Sequence, residues 1–405
     1  MGKKQSTTDS FFASQKEKSR VKTIIVTEFF KAYFPIIYNA FKKDVWYLDL
    51  FAGPGMYEDG SKSTPIVLLD TIAAFKNDSI RDHLKMVFND HDKNYVSRLE
   101  NAVNCHPVIQ KLKHQPQITC LEASDVDLSK YTNNNDPVFS FVDPWGYKDV
   151  SAAQVWKLVK NIGSDCVLFF NANRILQDIN EPANEQDFIE LFRETFPEAK
   201  QIQMRQDLSQ RQKAEQFLLL FSKNLYKTVR NEGKKKYKAY ILPFCVEADD
   251  RETISHYIVF ISKSHKAIQE MRKVMIKHGN STSAALGYDD KDAMQIAFLS
   301  REDDLIPSII VMIKEMFSKY PQMYKVEYDV LTLSERLDDY SMYTRYNALP
   351  YSSAELKTAI EQLDKEGHID VIFPKDYNGS RNPDHIFQNH REHGMIKKTQ
   401  RRDKP

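Results

Sequence analysis

Cysteine is scarce and dispersed in this chain. Cys105, Cys120, Cys166 and Cys245 are the only four in 405 residues, and no two form a CxxC pair. That excludes a zinc finger and a disulfide framework, and leaves interior thiols of a reducing compartment. Net charge is just as scarce, since 57 Lys and Arg against 56 Asp and Glu leave +1. The molecule as a whole is no magnet for a polyanion, so contact with one has to come from local patches. No apolar run approaches the roughly 18 residues of a membrane helix, and the polar start MGKKQSTTDSFFASQKEKSR has no signal-peptide core. The expectation is a cytoplasmic protein of bacterial type with no membrane association. The GxGxxG fingerprint and the GK[ST] of a P-loop are both missing, and there is no internal repeat. His83, His91, His106 and His114 lack metal-ligand spacing, so they read as surface or capping residues and no metal site is expected.

What is present is a rhythm. Residues 1–20 are polar and read as a flexible start. Val21 to Phe41 carries apolar residues at helical spacing, with Pro35 expected to kink or split the helix. Strands are then expected at 45–51, 84–90, 117–125, 138–143 and 166–173, with helices at 64–75, 94–103 and 151–159 between them. Strand–helix alternation of this kind belongs to a doubly wound, mostly parallel α/β sheet. Its five strands would end at Asp49, Asp90, Asp125, Asp143 and Asn171, along the carboxyl edge where such sheets bind ligands. A charged helical insertion is expected near 174–235, followed by an antiparallel pair at 238–247 and 255–262 that closes the sheet. From about 300 to 375 the order is helix, short helix, a longer helix capped at Ser352 or Ser353, then strand, which is winged-helix order. A basic tail occupies 376–405.

Three motifs carry chemistry. In DLFAGPG (49–55), small residues allow a sharp turn and close approach to a ligand, and Asp49 suits a ligand with an ammonium group. S-adenosylmethionine has such a group; a plain strand-to-helix turn is the alternative. In FNDHD (88–92), Asp90 can accept from both hydroxyls of a ribose, while Asp92 equally suits a helix N-cap. Asp125 could accept from an adenine amino group or be a solvated cap. In DPWG (143–146), Asp143 and Pro144 resemble the D/N-P-P-aromatic turn of nucleic-acid amino methyltransferases. There a side-chain oxygen and a backbone carbonyl hold an exocyclic amine, and an aromatic stacks on the flipped base. Trp145 replaces the second proline and Gly146 the aromatic, so Trp145 or Tyr147 would do the stacking. The run RNEGKKKYKAY (230–240) mixes basic residues with tyrosines, as a nucleic-acid contact or a solvated hairpin tip would.

Taken together, YLDLFAGPG (47–55), STPIVLL (63–69), FNDHD (88–92) and FVDPWGY (141–147), with the helix KTIIVTEFFKAYFPIIY (22–38), resemble the three-Cys-motif partner (TcmP) family over about residues 20–370. The resemblance implies a Rossmann-like class I methyltransferase domain over 21–295, a C-terminal winged-helix domain, and a partner protein with a three-cysteine motif. It also implies that Asp49, Phe51, Ala52, Gly53, Gly55, Asp90 and Asp125 bind S-adenosylmethionine, and that Asp143, Pro144, Trp145 and Tyr147 face the acceptor. Methyl transfer to a base of DNA or RNA is the expected function. The alternatives are a non-catalytic accessory module, or transfer to a protein or small molecule.

Overall fold

The buried runs VWYLD, LKMVFN, VFSFV and DCVLFF all become parallel strands. Near-continuous apolar sequence is what a strand covered on both faces requires. The computed structural model describes residues 3–144, 146–147, 151–234, 236–247, 253–279, 287–288, 301–320, 330–344, 349–372 and 395–397. In chain order the elements are α1 (Lys3–Phe41), β1 (Val45–Asp49), α2 (Thr64–Ala73), β2 (Leu84–Asn89), α3 (Lys93–Asn104), β3 (Gln117–Thr119), α4 (Ser129–Thr132), β4 (Val138–Val142), α5 (Ala152–Val159), β5 (Asp165–Phe170), α6 (Ala172–Asp178), α7 (Glu185–Phe192), α8 (Phe196–Met204), α9 (Gln210–Glu232), β6 (Tyr240–Glu247), β7 (Ile254–Ser262), α10 (His265–His278), β8 (Gly287–Tyr288), α11 (Arg301–Lys319), α12 (Val330–Thr344), α13 (Ser353–Lys365), β9 (Asp370–Ile372) and β10 (Met395–Lys397).

The chain divides into two units, residues 1–279 with 287–290, and residues 280–286 with 291–405. The first holds a mixed sheet in the order β3-β2-β1-β4-β5-β7-β6-β8. Strands β1 to β5 are mutually parallel. β7 runs antiparallel between β5 and β6, as the pair expected at 238–247 and 255–262 required. β8, a short parallel strand on β6, went unseen in the sequence. Chain order reverses between β1 and β4, which makes that gap the topological switch point where open α/β sheets bind ligands.

Helix α1 covers the switch point. Phe30 meets Tyr47 of β1 edge-on at 5.2 Å, and Phe29, Phe30 and Tyr33 surround Phe139 of β4 at 5.7, 5.6 and 5.2 Å. At the far end the Tyr33 hydroxyl donates to the Gly163 carbonyl at 2.6 Å, ahead of β5. α1 therefore runs against the strands, with Lys22 near their carboxyl ends. Two expectations change here. The helix begins at Lys3 and takes in most of the polar start, and it continues through Pro35 as a single element. A helix interior tolerates one lost donor when neighbouring packing holds it: Tyr33 and Phe34 are buried just before the proline, and Tyr38 stacks on His83 at 4.5 Å beyond it.

The third strand is also shorter than expected. β3 stops at Thr119, and Asp125 sits in a separate 3-10 turn, Ala123–Asp125, exposed to solvent. Gln117–Thr119 lies at the sheet edge, where half-buried residues can leave the ladder early. Between β5 and β6 the chain runs through four helices, α6 to α9, with α9 opened by a Ser209–Gln212 capping box. The second unit packs α11, α12 and α13 around Leu305, Ile309, Ile313, Leu337, Ile360 and Leu363, and pairs β9 with β10. Ser352 caps α13 in a reciprocal box with Glu355, the N-cap expected from sequence. Most of the basic tail lies outside the described residues.

Asp165 opens β5 fully buried, and burial lifts its pKa to about 7 against a hydrogen bond with Ser262 and the charge of Lys263. A raised acid binds its proton more tightly in the folded state, so its contribution is complete below about pH 4 and is lost as pH rises through about 7. Urea midpoints should fall between about pH 5 and pH 8 in the wild type and change less in Asp165→Asn. An unchanged slope would assign the pH dependence elsewhere.

Candidate functional site

β1 delivers Asp49 to the switch point. The pleat puts Tyr47 and Asp49 on the face covered by α1, and likewise Phe139, Phe141 and Asp143 along β4. Asp49 is completely buried. Its Oδ1 accepts from the Phe51 N–H at 3.1 Å, and its Oδ2 has no partner. Burial holds its pKa well above the usual carboxylate range, and the neighbouring Asp143 and Asp90 add to the rise. An orphaned buried carboxyl oxygen is costly, by about 1–3 kcal/mol in general, and marks a place where a donor belongs.

The loop after β1 turns on two glycines in the left-handed region, Gly53 at φ 68° and Gly55 at φ 77°. Gly53 N–H donates to Asp90 Oδ2 at 2.9 Å, and Asp90 Oδ1 accepts from Asp92 N–H at 3.0 Å. Asp90 thereby ties the glycine loop to the end of β2. Oδ2 keeps a second lone pair for another donor, and Oδ1 also faces the His91 Nδ1 at 3.5 Å. Asp92 caps α3 through Asn94 N–H and Tyr95 N–H. Ala52 N–H donates to the Asn89 carbonyl at 2.8 Å, which fixes the loop a second time.

Residues 56–62 fold back on themselves through a Met56–Lys62 bridge and a Ser63 N–H to Gly55 carbonyl bond of 2.7 Å. Tyr57 on this flap lays its hydroxyl over Gly53, 3.2 Å from where a β-carbon would sit. Burial, then Asp143 and Asp49, push the Tyr57 phenol up to about 12. Ser63, at the N-terminus of α2, is buried with its Oγ unpartnered and makes no cap bond. A helix N-terminus with a spare hydroxyl favours an anionic group.

Asp143 ends β4 half-buried and forms an ion pair with Lys22 of α1. The Lys22 ammonium also stands 4.5 Å from the centroid of the Phe169 ring on β5. Pro144 is buried behind Asp143. Trp145 lies outside the described residues. Tyr147 is turned into packing: its ring stacks on Phe188 of α7 at 4.1 Å and its hydroxyl donates to Asp178 at 3.4 Å. Asp125 stays exposed on its turn.

The structure thus brings Asp49, Phe51, Ala52, Gly53, Gly55, Asp90 and Asp143 to one edge. It adds four residues that the sequence reading did not single out: Lys22, Tyr57, Ser63 and Asn89. Asn89 is fully buried and staples three strand ends. Its amide donates to the Leu50 and Leu121 carbonyls at 3.2 and 2.9 Å, and its oxygen accepts from Thr119 Oγ1 at 2.8 Å. A polar amide closing the apolar stretch MVF was its signal, as a lysine on the buried side of α1 was for Lys22. On the opposite face of β1 and β4, a small apolar cavity is lined by Leu50, Ala123, Leu128, Val142, Val155 and Leu158, with Gln154. Among the described residues no His, Cys, Asp and Glu cluster could hold a metal ion, and no helix is long and apolar enough to cross a membrane.

A β-carbon at Gly55 would stand 2.9 Å from that of Ala102, whereas one at Gly60, φ 81°, meets nothing within 4 Å. Gly60→Ala should cost only the left-handed strain, about 1–2 kcal/mol. Gly55→Ala should cost roughly 1–3 kcal/mol more, from overpacking against α3. Chemical denaturation of both variants checks the difference, and equal losses would refute the close approach.

No family model matches the chain, and no curated protein matches it. Solved structures give distant likenesses. A Legionella pneumophila protein, LPL1258 of family DUF519, aligns with TM-score 0.34 and 8% identity over 60% of this chain and 85% of its own. The methyltransferase domain of bacterial CtHen1-C aligns with TM-score 0.27 and 12% identity over 58% and 98%. A modification subunit ascribed to a type I restriction enzyme of Vibrio vulnificus aligns with TM-score 0.28 and 9% identity over 58% and 43%. At such scores the likenesses carry no functional argument, and the site's own geometry has to supply it.

Proposed function

We propose that the chain is an S-adenosylmethionine-dependent methyltransferase acting on an amino nitrogen of a nucleic-acid base. The observation that carries this reading is the pair of orphaned buried groups beside the glycine loop, Asp49 Oδ2 and Ser63 Oγ, with Asp90 and Asp143 flanking them. A zwitterionic amino-acid moiety on a nucleoside needs that set. Asp49 would accept from its ammonium, Ser63 and the start of α2 would meet its carboxylate, and Asp90 would use its spare lone pairs for ribose hydroxyls. Bound there, the cofactor supplies an electrophilic methyl group. Asp143 would accept an N–H of the acceptor amine and turn the nitrogen lone pair toward the reaction; catalysis is then chiefly positioning.

The nucleic-acid class draws on the Asp143–Pro144 turn and on the second unit, whose three helices and strand pair follow the order of a winged helix. The TcmP resemblance adds a partner protein with a three-cysteine motif. A second reading, a non-catalytic accessory module, is favoured by two contacts on the acceptor side: Asp143 is engaged by Lys22 and Tyr147 by Phe188.

Calorimetric titration with S-adenosylmethionine separates the two. Binding should weaken by at least about tenfold, 1.4 kcal/mol, in Asp90→Ala. Asp143→Ala should keep cofactor affinity and lose methyl transfer to DNA or RNA. Absence of binding to the folded wild type would favour the accessory module.

The raised pKa of Asp49 adds a sign. An ammonium binds the ionised carboxyl, so binding releases a proton, and affinity rises with pH until the free Asp49 carboxyl has itself ionised. Titrations in buffers of different ionisation enthalpy should show proton release in the wild type and none in Asp49→Asn. Equal proton release in both would remove Asp49 from the cofactor site.

A further inference from the structure

Lys22 does in this structure what a ligand's amine would do. Its ammonium donates to Asp143 and lies over the face of Phe169, 4.5 Å from the ring centroid. A carboxyl oxygen on one side and an aromatic face on the other are the two surroundings that select a cationic or strongly polarised N–H group. Asp49 lies within electrostatic reach of the same ammonium, and its buried Oδ2 still lacks a partner. The site therefore has more acceptor capacity than one lysine satisfies.

The pair is also reachable. The Lys22 and Asp143 side chains are 13% and 19% exposed, which is neither a sealed core pair nor a free surface pair. The backbone beneath Lys22 is fixed, because Thr23 Oγ1 bonds Thr64 Oγ1 at 3.2 Å and Phe29 and Phe30 are locked in the aromatic seam. Only the flexible four-carbon stem of the lysine has to move for the site to open.

We infer that Asp143 and Phe169 form an amine-binding site, that Lys22 is its internal occupant, and that the ligand it stands in for carries a primary or exocyclic amino group. The N–H groups of that ligand take over Asp143 as Lys22 swings out. This rests on the acceptor role proposed for Asp143 and adds a gate to it. A lone neutral hydroxyl offers Asp143 a single donor where an amino or ammonium group offers two or three, so it does not displace the lysine. Apparent affinity for the true ligand is lowered by the fraction of time the site stands open.

The test uses the full chain with n-butylammonium as the probe and n-butanol as its uncharged counterpart. Lys22→Ala should bind n-butylammonium about tenfold more tightly than the wild type, the ratio for an occupant that fills about nine-tenths of the site. Its thermal midpoint should rise with n-butylammonium and not with n-butanol. Lys22→Ala combined with Asp143→Asn should show neither effect. If Lys22→Ala is poorly folded, Lys22→Met keeps the stem packing and should show the same affinity gain. No gain in either folded variant, or an equal gain without Asp143, would overturn the inference and leave Lys22 as a fixed ion pair. The readout involves no cofactor. Amine binding without S-adenosylmethionine binding would sink the methyltransferase reading and keep the amine site, and the reverse result would do the opposite.

Discussion

α1 lays Phe29, Phe30 and Tyr33 across Tyr47 of β1 and Phe139 of β4, and the places of the charged groups follow from that seam. Five large rings packed at tilted angles, with Phe30 edge-on to Tyr47, bury extensive apolar area and tolerate little sliding. Two residues on from Tyr47 and four on from Phe139, the same pleat sets Asp49 and Asp143 beneath α1. About two helical turns back from Phe29 and Phe30, the helix sets Lys22 over them. The ion pair at the carboxyl edge is thus positioned by hydrocarbon packing nearer the middle of the strands.

Charge balance at this edge is unusual for an interior. Asp49, Asp90 and Asp143 converge, and Lys22 is the cation whose charge is felt at Asp49. The fold accommodates Asp90 by giving it two backbone N–H donors, and Asp143 by giving it the lysine. Asp49 receives one backbone donor, and its second oxygen is left bare. A buried carboxyl in that condition lowers stability, and a binding site is where such a cost has a use. The loop that brings Gly53 to Asp90 depends on left-handed backbone at Gly53 and Gly55, so its geometry and the placement of Asp90 are one arrangement.

Much of the fold was legible because its signals are local. Short apolar runs separated by amphipathic stretches gave β1, β2, β4 and β5, and the paired runs at 238–247 and 255–262 gave the antiparallel pair β6 and β7. The Ser352 cap and the Asp92 cap could be read from residue type and spacing. The run 117–125 looks like strand to its end, yet at the sheet edge it has one neighbour and leaves the ladder at Thr119. Pro35 does not split α1, because local propensity takes no account of the sheet against which the preceding residues are buried.

By itself the sequence determined the alternation of elements, the glycine turn and the acids at the strand ends, since each depends on neighbours a few residues away. Only the tertiary structure decided which acids converge, that Asp125 stays in solvent, that Tyr147 packs on Phe188, and that Lys22 reaches Asp143 across 121 residues of chain. Those facts depend on strand order, pleat parity and the direction in which α1 crosses the sheet. None of these is written in any short stretch, because each is fixed by burying two distant apolar surfaces against one another.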